Sequence, residues 1–150
     1  LEHEMAVEFA SRVYDATSFL DDVGLVSEIA DTGTSRKVAY HDACHLSHAQ
    51  GIRAAPRKLL EHIPGLQIVE IADAEMCCGS AGIYNMEQPK IAKQLGCEKA
   101  SNVMESGAEY LATSNIGCIT QIESSLRARN SLISVKHVME ILDDAYSGEI

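Results

Sequence analysis

Strand and helix signals alternate along this 150-residue chain, which predicts an α/β fold: a mainly parallel sheet of about four strands with helices packed on it. Three observations carry that expectation. Short apolar runs are followed by stretches whose apolar residues recur at helical spacing. Glycine and proline fall at the boundaries, as at Gly24, Pro64-Gly65, Pro89 and Gly107. The cysteines cluster just after the apolar runs, where parallel sheets gather their sites.

Taken in order, residues 2–20 read as one helix, with Ala6, Phe9, Ala10, Val13 and Leu20 on its apolar stripe and Gly24 as its stop. Residues 31–35 are polar, contain Gly33 and read as a loop. Residues 37–43 form the first strand, with Cys44 directly after it. Ile52, Ala55, Leu59, Leu60 and Ile63 mark an amphipathic helix that Pro64-Gly65 ends. Residues 66–71 form the second strand, and a short loop leads to Cys77 and Cys78. Pro89 suits the first turn of the next helix, whose inner face is Ala92, Leu95, Ala100 and Val103. Residues 109–114 form the third strand, with Asn115-Ile116-Gly117-Cys118 at its end. Ile119, Ile122 and Leu126 then run at helical spacing. Residues 132–136 form the fourth strand, ending at His137, and Val138, Ile141, Leu142 and Ala145 line a last helix. Each crossover is expected to be right-handed.

The charge excludes some functions. Twelve basic against 22 acidic residues give a formal net charge of −10, which argues against a nucleic-acid or anionic-membrane surface and for docking to other proteins. No apolar run approaches the roughly 20 residues of a membrane span, and no signal peptide is visible. Any membrane association is therefore expected to come through a partner. The chain starts at Leu1, so residues 1–36 are read as continuing upstream sequence and 37–150 as the cysteine-rich domain. Five cysteines, two of them adjacent, are not a secreted disulfide framework and point to a reducing, cytoplasmic compartment.

The chemistry lies in Met76-Cys77-Cys78-Gly79-Ser80-Ala81-Gly82. Adjacent cysteines pair with each other only under strain, and glycine lets backbone approach something bulky. Cys44 and Cys118 flank this stretch, and the topology brings all four to one sheet edge. Such a set suits a soft metal or an iron–sulfur cluster. Helices beginning near Cys44 and Cys118 would lower thiol pKa values. N–H groups around Gly79, Ser80, Gly82 and Gly117 could bond the sulfurs. Cys97 falls mid-helix and reads as a packing thiol. Gly79, Gly82 and Gly117 also have an ordinary reading as turn glycines. His41 reads as a strand-end cap, His48 as a solvated helix-start residue, and His3 and His62 as surface residues.

The stretches His41-Asp42-Ala43-Cys44-His45-Leu46, Cys77-Cys78-Gly79-Ser80-Ala81-Gly82, Asn115-Ile116-Gly117-Cys118 and Val135-Lys136-His137 resemble the cysteine-rich CCG domain. That domain occurs in heterodisulfide reductase, lactate-utilisation proteins and the small subunit of anaerobic glycerol-3-phosphate dehydrogenase. The wording is most similar to the C-terminal domain of glycolate oxidase iron–sulfur subunits. The resemblance implies a 4Fe-4S-type cluster that relays electrons from glycolate oxidation on a flavin (FAD) subunit toward a membrane quinone. It implies no substrate-oxidising site in this chain, and a location in the cytoplasm or peripheral at the inner face of the cell membrane. The fullest family pattern ends in Cys-x-x-Cys, giving five thiolates; here Gln121 takes the last position. A site of Cys44, Cys77, Cys78 and Cys118 remains, which His45 or His137 could complete. Three readings stand side by side: an iron–sulfur electron-transfer domain, a structural zinc docking module, and a thiol-redox site at Cys77 and Cys78.

Overall fold

The computed structural model describes residues 2–150. Its sheet has four strands, all parallel: β1 (Arg36–Tyr40), β2 (Leu66–Val69), β3 (Tyr110–Thr113) and β4 (Ser134–His137), in the spatial order β2-β1-β3-β4. Eight helices accompany them among the described residues: α1 (Glu2–Ala10), α2 (Ala16–Val23), α3 (Cys44–Ser47), α4 (Ala54–Glu61), α5 (Tyr84–Glu87), α6 (Pro89–Glu105), α7 (Ile116–Arg127) and α8 (Val138–Ser147). The α/β class predicted from the alternating pattern is the one observed.

Strand residues alternate between two cores, because successive side chains leave opposite faces of a sheet. Val38, Tyr40 and Ala112 face one core with Leu59 and Leu60 of α4 and Val138, Ile141 and Leu142 of α8. Ala39, Leu111 and Val135 face the other with Ala100 and Val103 of α6 and Ile122 and Leu126 of α7. Both faces are covered, so the strands read as apolar runs without polar alternation.

The elements differ from the sequence expectation in identifiable ways. The helix expected over residues 2–20 is two helices. The first ends at Ala10, and Asp15 caps the second, its carboxylate accepting from the Thr17 N–H at 2.9 Å. No residue of α1 is buried, and Phe9, expected on an inner stripe, is 72% exposed. Only the second half packs, with Lys58 of α4 bonding Asp21 of α2 at 2.9 Å. The helix marked by Ile52 to Ile63 is α4, and a separate turn precedes it. A single turn, α3, starts at Cys44 itself, and α4 starts ten residues later. Cys118 lies inside the first turn of α7, not before it.

Two polar contacts brace the end of β1 that leads to the site. Arg57 of α4 donates from both Nη atoms to the buried Asp42 carboxylate, at 2.8 and 2.7 Å. The same guanidinium lies 4.6 Å from the centre of the Tyr40 ring. Burial pushes the Tyr40 hydroxyl up to about 12.

Candidate metal centre

Three chain segments leave the carboxyl ends of β1, β2 and β3 and meet around a cavity of about 240 Å³. The first contributes His41, Cys44 and His45, the second Cys77, Cys78, Ser80, Ala81 and Gly82, and the third Asn115 and Cys118. All four cysteines singled out in the sequence therefore line one cavity. Cys97 does not: it sits on α6 beside a separate cavity lined by Lys93, Gln121 and Ser125.

The sulfurs are positioned by backbone geometry. Cys78 and Cys118 lie 3.2 Å apart, sulfur to sulfur, well beyond the roughly 2.05 Å of a disulfide. A sulfur–sulfur hydrogen bond joins the two. That bond, with help from His41 and the Ser80 N–H, holds the Cys78 thiol down at about 4 against the opposing effect of burial. Cys118 is pushed up, because of its hydrogen bond with Cys78 and because it too is buried. Cys77 accepts from the Gly79 N–H at 3.3 Å. Cys44 is exposed at the rim and Cys77 half-buried, while Cys78 and Cys118 form the floor.

Of the three glycines, Gly79 is the one that close approach of backbone demands. Gly79 has φ +90°, and a Cβ there would meet the backbone oxygen of Ala92 in α6 at 2.6 Å. Gly117 lies in the first turn of α7, where a Cβ would meet the Ser80 hydroxyl at 2.6 Å. Gly82 has φ +51° with open space around it, as a turn glycine should.

The histidines separate. His45 lines the cavity, its Nδ1 3.3 Å from the Asn115 amide nitrogen, while Asn115 Oδ1 caps α7 by accepting from the Cys118 N–H at 3.1 Å. His137 is away from the cavity, at the end of the edge strand β4. Its Nδ1 accepts from the Met139 N–H at 3.2 Å and caps α8. His41, read from sequence as a cap, is 1% exposed, and one of its ring nitrogens lies with the sulfurs of Cys78 and Cys118 inside a 4.8 Å group. Its Nδ1 is 3.0 Å from the Ala74 carbonyl. A carbonyl only accepts, so Nδ1 donates to it and Nε2 is the ring nitrogen left for the site. Strand alternation could have found it, since His41 shares a sheet face with Ala39 and with the sulfur-bearing core.

Gln121 does not line the cavity. Its amide donates to the Ala92 carbonyl at 3.1 Å and packs beside Gly96, joining α7 to α6. The donor set of the cavity is thus four sulfurs and two imidazoles, with no carboxylate on the wall. Soft donors of this kind fit thiophilic iron, zinc or an iron–sulfur cluster and fit magnesium or calcium badly. The buried hydroxyls of Thr113 and Ser114, at the carboxyl end of β3, have no hydrogen-bond partner among the described residues. They leave polar groups to spare where β3 runs into Asn115.

Comparison with known proteins bears on the same residues. The family profile described as the cysteine-rich domain CCG matches residues 38–123. The chain is 35% identical over 145 residues to Lactate utilization protein A of Oceanobacillus iheyensis, covering 97% of this chain and 59% of that protein. It is 33% identical over 140 residues to the protein of the same name from Geobacillus kaustophilus, covering 92% and 57%. For Lactate utilization protein A of Bacillus subtilis the identity is 32% over 140 residues, covering 93% and 58%. The chain spans a little over half the length of these relatives. Their name is not that of a glycolate oxidase subunit, so the glycolate reading gains nothing from them.

Proposed function

The chain belongs to the cysteine-rich CCG domain family, and from that membership we infer that it is an iron–sulfur electron-transfer domain of a flavin-linked 2-hydroxy acid oxidation system. Lactate takes the place of glycolate as the substrate of that system, because the relatives are named for lactate utilisation. The observation that carries the reading is the convergence of Cys44, Cys77, Cys78 and Cys118, from three distant segments, on one cavity.

In this reading the four thiolates hold the cluster, His41 or His45 stands by as an additional donor, and the remaining residues shape the surroundings. A bound cluster supplies one-electron chemistry, accepting and passing electrons without itself oxidising the hydroxy acid. Gly79 lets the backbone of α6 approach, and Gly117 leaves room for the Ser80 hydroxyl. The Gly79 N–H already bonds a sulfur, and such donors stabilise added negative charge. Burial of Cys78 and Cys118 keeps water from the floor, while exposed Cys44 leaves one side open for an electron to enter or leave. The flavin and the hydroxy acid belong to a partner subunit, and a quinone acceptor would be reached through the complex. Among the described residues no helix is long and apolar enough to cross a membrane.

A second reading has its own support. His41, Cys78 and Cys118 are three nitrogen and sulfur donors inside 4.8 Å, enough to begin a structural zinc site. Anaerobic purification followed by iron, sulfide and zinc analysis and an EPR spectrum separates the two. Stoichiometric iron and sulfide in a brown protein are expected. Colourless protein with one zinc would overturn the electron-transfer reading. Cys78→Ser should abolish metal retention and Cys97→Ser should leave it intact; equal retention would refute the assigned ligands.

A further inference from the structure

Lys99 of α6 is fully buried, the largest side chain to be so among the described residues. Its ammonium donates to the carbonyls of Asp73 and Ala74, the second at 3.2 Å. Three residues on, Asn102 donates to the carbonyl of Ala72 at 2.9 Å. One face of α6 thus holds three successive carbonyls of the loop that leads to Cys77 and Cys78. That loop turns through Asp73 at φ +52°, a conformation that costs a side-chain-bearing residue energy and needs outside support. The Ala74 carbonyl held by Lys99 is also the partner of His41, which reaches Cys78 and Cys118. The ammonium therefore stands one carbonyl behind the sulfur floor.

A buried lysine is costly unless something negative repays its lost hydration. Hydrogen bonds to two neutral carbonyls do so only in part. The acidic groups around it are Asp73, Cys78, Asp42 and Cys118, whose fields, that of Asp73 first, oppose the effect of burial. Asp42 is already matched by Arg57. Asp73, which lies on the same loop, and the sulfurs of the site are the charge left for Lys99 to balance.

We propose that Lys99 is a positioning residue and buried countercharge for the cysteine site. It holds the loop ahead of Cys77 and Cys78 in place and offsets the negative charge that thiolates accumulate when they bind a soft metal. Where that metal is part of a redox cluster, the same charge makes reduction easier. The redox half of the statement rests on the electron-transfer reading above; the metal-binding half does not.

The test uses Lys99→Gln, which keeps a hydrogen-bond donor and removes the charge, with Lys99→Met as a second variant. Asn102→Ala, which frees a neighbouring carbonyl and changes no charge, is the control. Cobalt(II) is titrated anaerobically at pH 7 into the metal-free protein and followed by its thiolate charge-transfer absorbance. Lys99→Gln is expected to weaken binding about tenfold or more, the range typical of groups behind metal ligands, with Asn102→Ala close to wild type. Lys99→Met should match Lys99→Gln if it folds, and Lys99→Gln decides if it does not. Wild-type affinity in Lys99→Gln, equal losses in Lys99→Gln and Asn102→Ala, or no cobalt binding by the wild type would each overturn the proposal. If the protein loads iron, the midpoint potential should move to more negative values in Lys99→Gln and stay put in Asn102→Ala; an unmoved potential in Lys99→Gln overturns the redox half. If the wild type takes up zinc and no iron, the electron-transfer reading fails, while a cobalt loss confined to Lys99→Gln still upholds the countercharge.

Discussion

Replacing Gly79 by alanine probes the turn that aims the paired cysteines. Two costs arise at that position. A side chain at positive φ costs about 1–2 kcal/mol, and Gly79 has φ +90°. The new Cβ would also lie 2.6 Å from the Ala92 oxygen and 2.9 Å from its Cα. Both atoms are helix backbone, which no side-chain rotation can clear, so either the turn or α6 must shift. Overpacking of that kind costs about 1–3 kcal/mol, giving about 2–5 kcal/mol in all for Gly79→Ala. Gly82→Ala is the matched control: its φ is +51° and nothing lies within 4 Å. It should lose only about 1–2 kcal/mol. Urea denaturation of the metal-free proteins measures both losses, and anaerobic metal loading then reports on the sulfurs. Gly79→Ala should lose most of its metal retention and Gly82→Ala little. Equal destabilisation of the two variants would refute the argument from close approach, and full metal retention in Gly79→Ala would refute the link between that turn and the site.

Three further outcomes follow from contacts around the cavity. Arg57→Met leaves the Asp42 carboxylate, 4% exposed, without its bidentate partner; a loss of about 2–4 kcal/mol in urea unfolding is expected, somewhat below a fully buried pair because Arg57 is partly exposed. Asn115→Ala removes the cap of α7 and the contact with His45; it should cost about 1 kcal/mol and broaden the His45 ring resonances in NMR spectra. Tyr40 gives a pH dependence: its hydroxyl is pushed up to about 12, so between the unfolded value near 10 and that point the native state keeps a proton that the unfolded state has lost. Stability then falls as pH rises through this window, by about 2–3 kcal/mol at 1.36 kcal/mol per unit. Tyr40→Phe should flatten that decline, and an unchanged slope in the variant would show that other groups cause it.

Much of the fold is legible because parallel strands buried on both faces write themselves as apolar runs. The runs that form β1 and β3 announce the central pair, and with them the edge where Cys44, Cys78 and Cys118 meet. Less legible are features set by single side-chain bonds. Asp15 caps a second helix within what reads as one continuous helical stripe, and periodicity cannot register a cap in its middle. In the sequence His137 reads as a candidate ligand and His41 as a strand-end cap, and the structure reverses the two. The first ends an edge strand and bonds its own helix; the second follows a central strand whose alternation turns it toward the sulfurs. Lys99 carries no mark that sets it apart from a solvated helix lysine, and nothing in a linear pattern shows that its partners are carbonyls 25 and 26 residues upstream.

The backbone oxygen of Ala92 is where Gln121 of α7 fastens and where the turn at Gly79 rests most closely. Gln121 sits three residues past Cys118, and Gly79 immediately follows Cys78. One point on α6 therefore touches the carriers of both floor sulfurs. Any slippage of α6 along its axis has to be absorbed by both carriers together, which makes the spacing of the two thiols a property of the interlocked assembly and not of either loop alone.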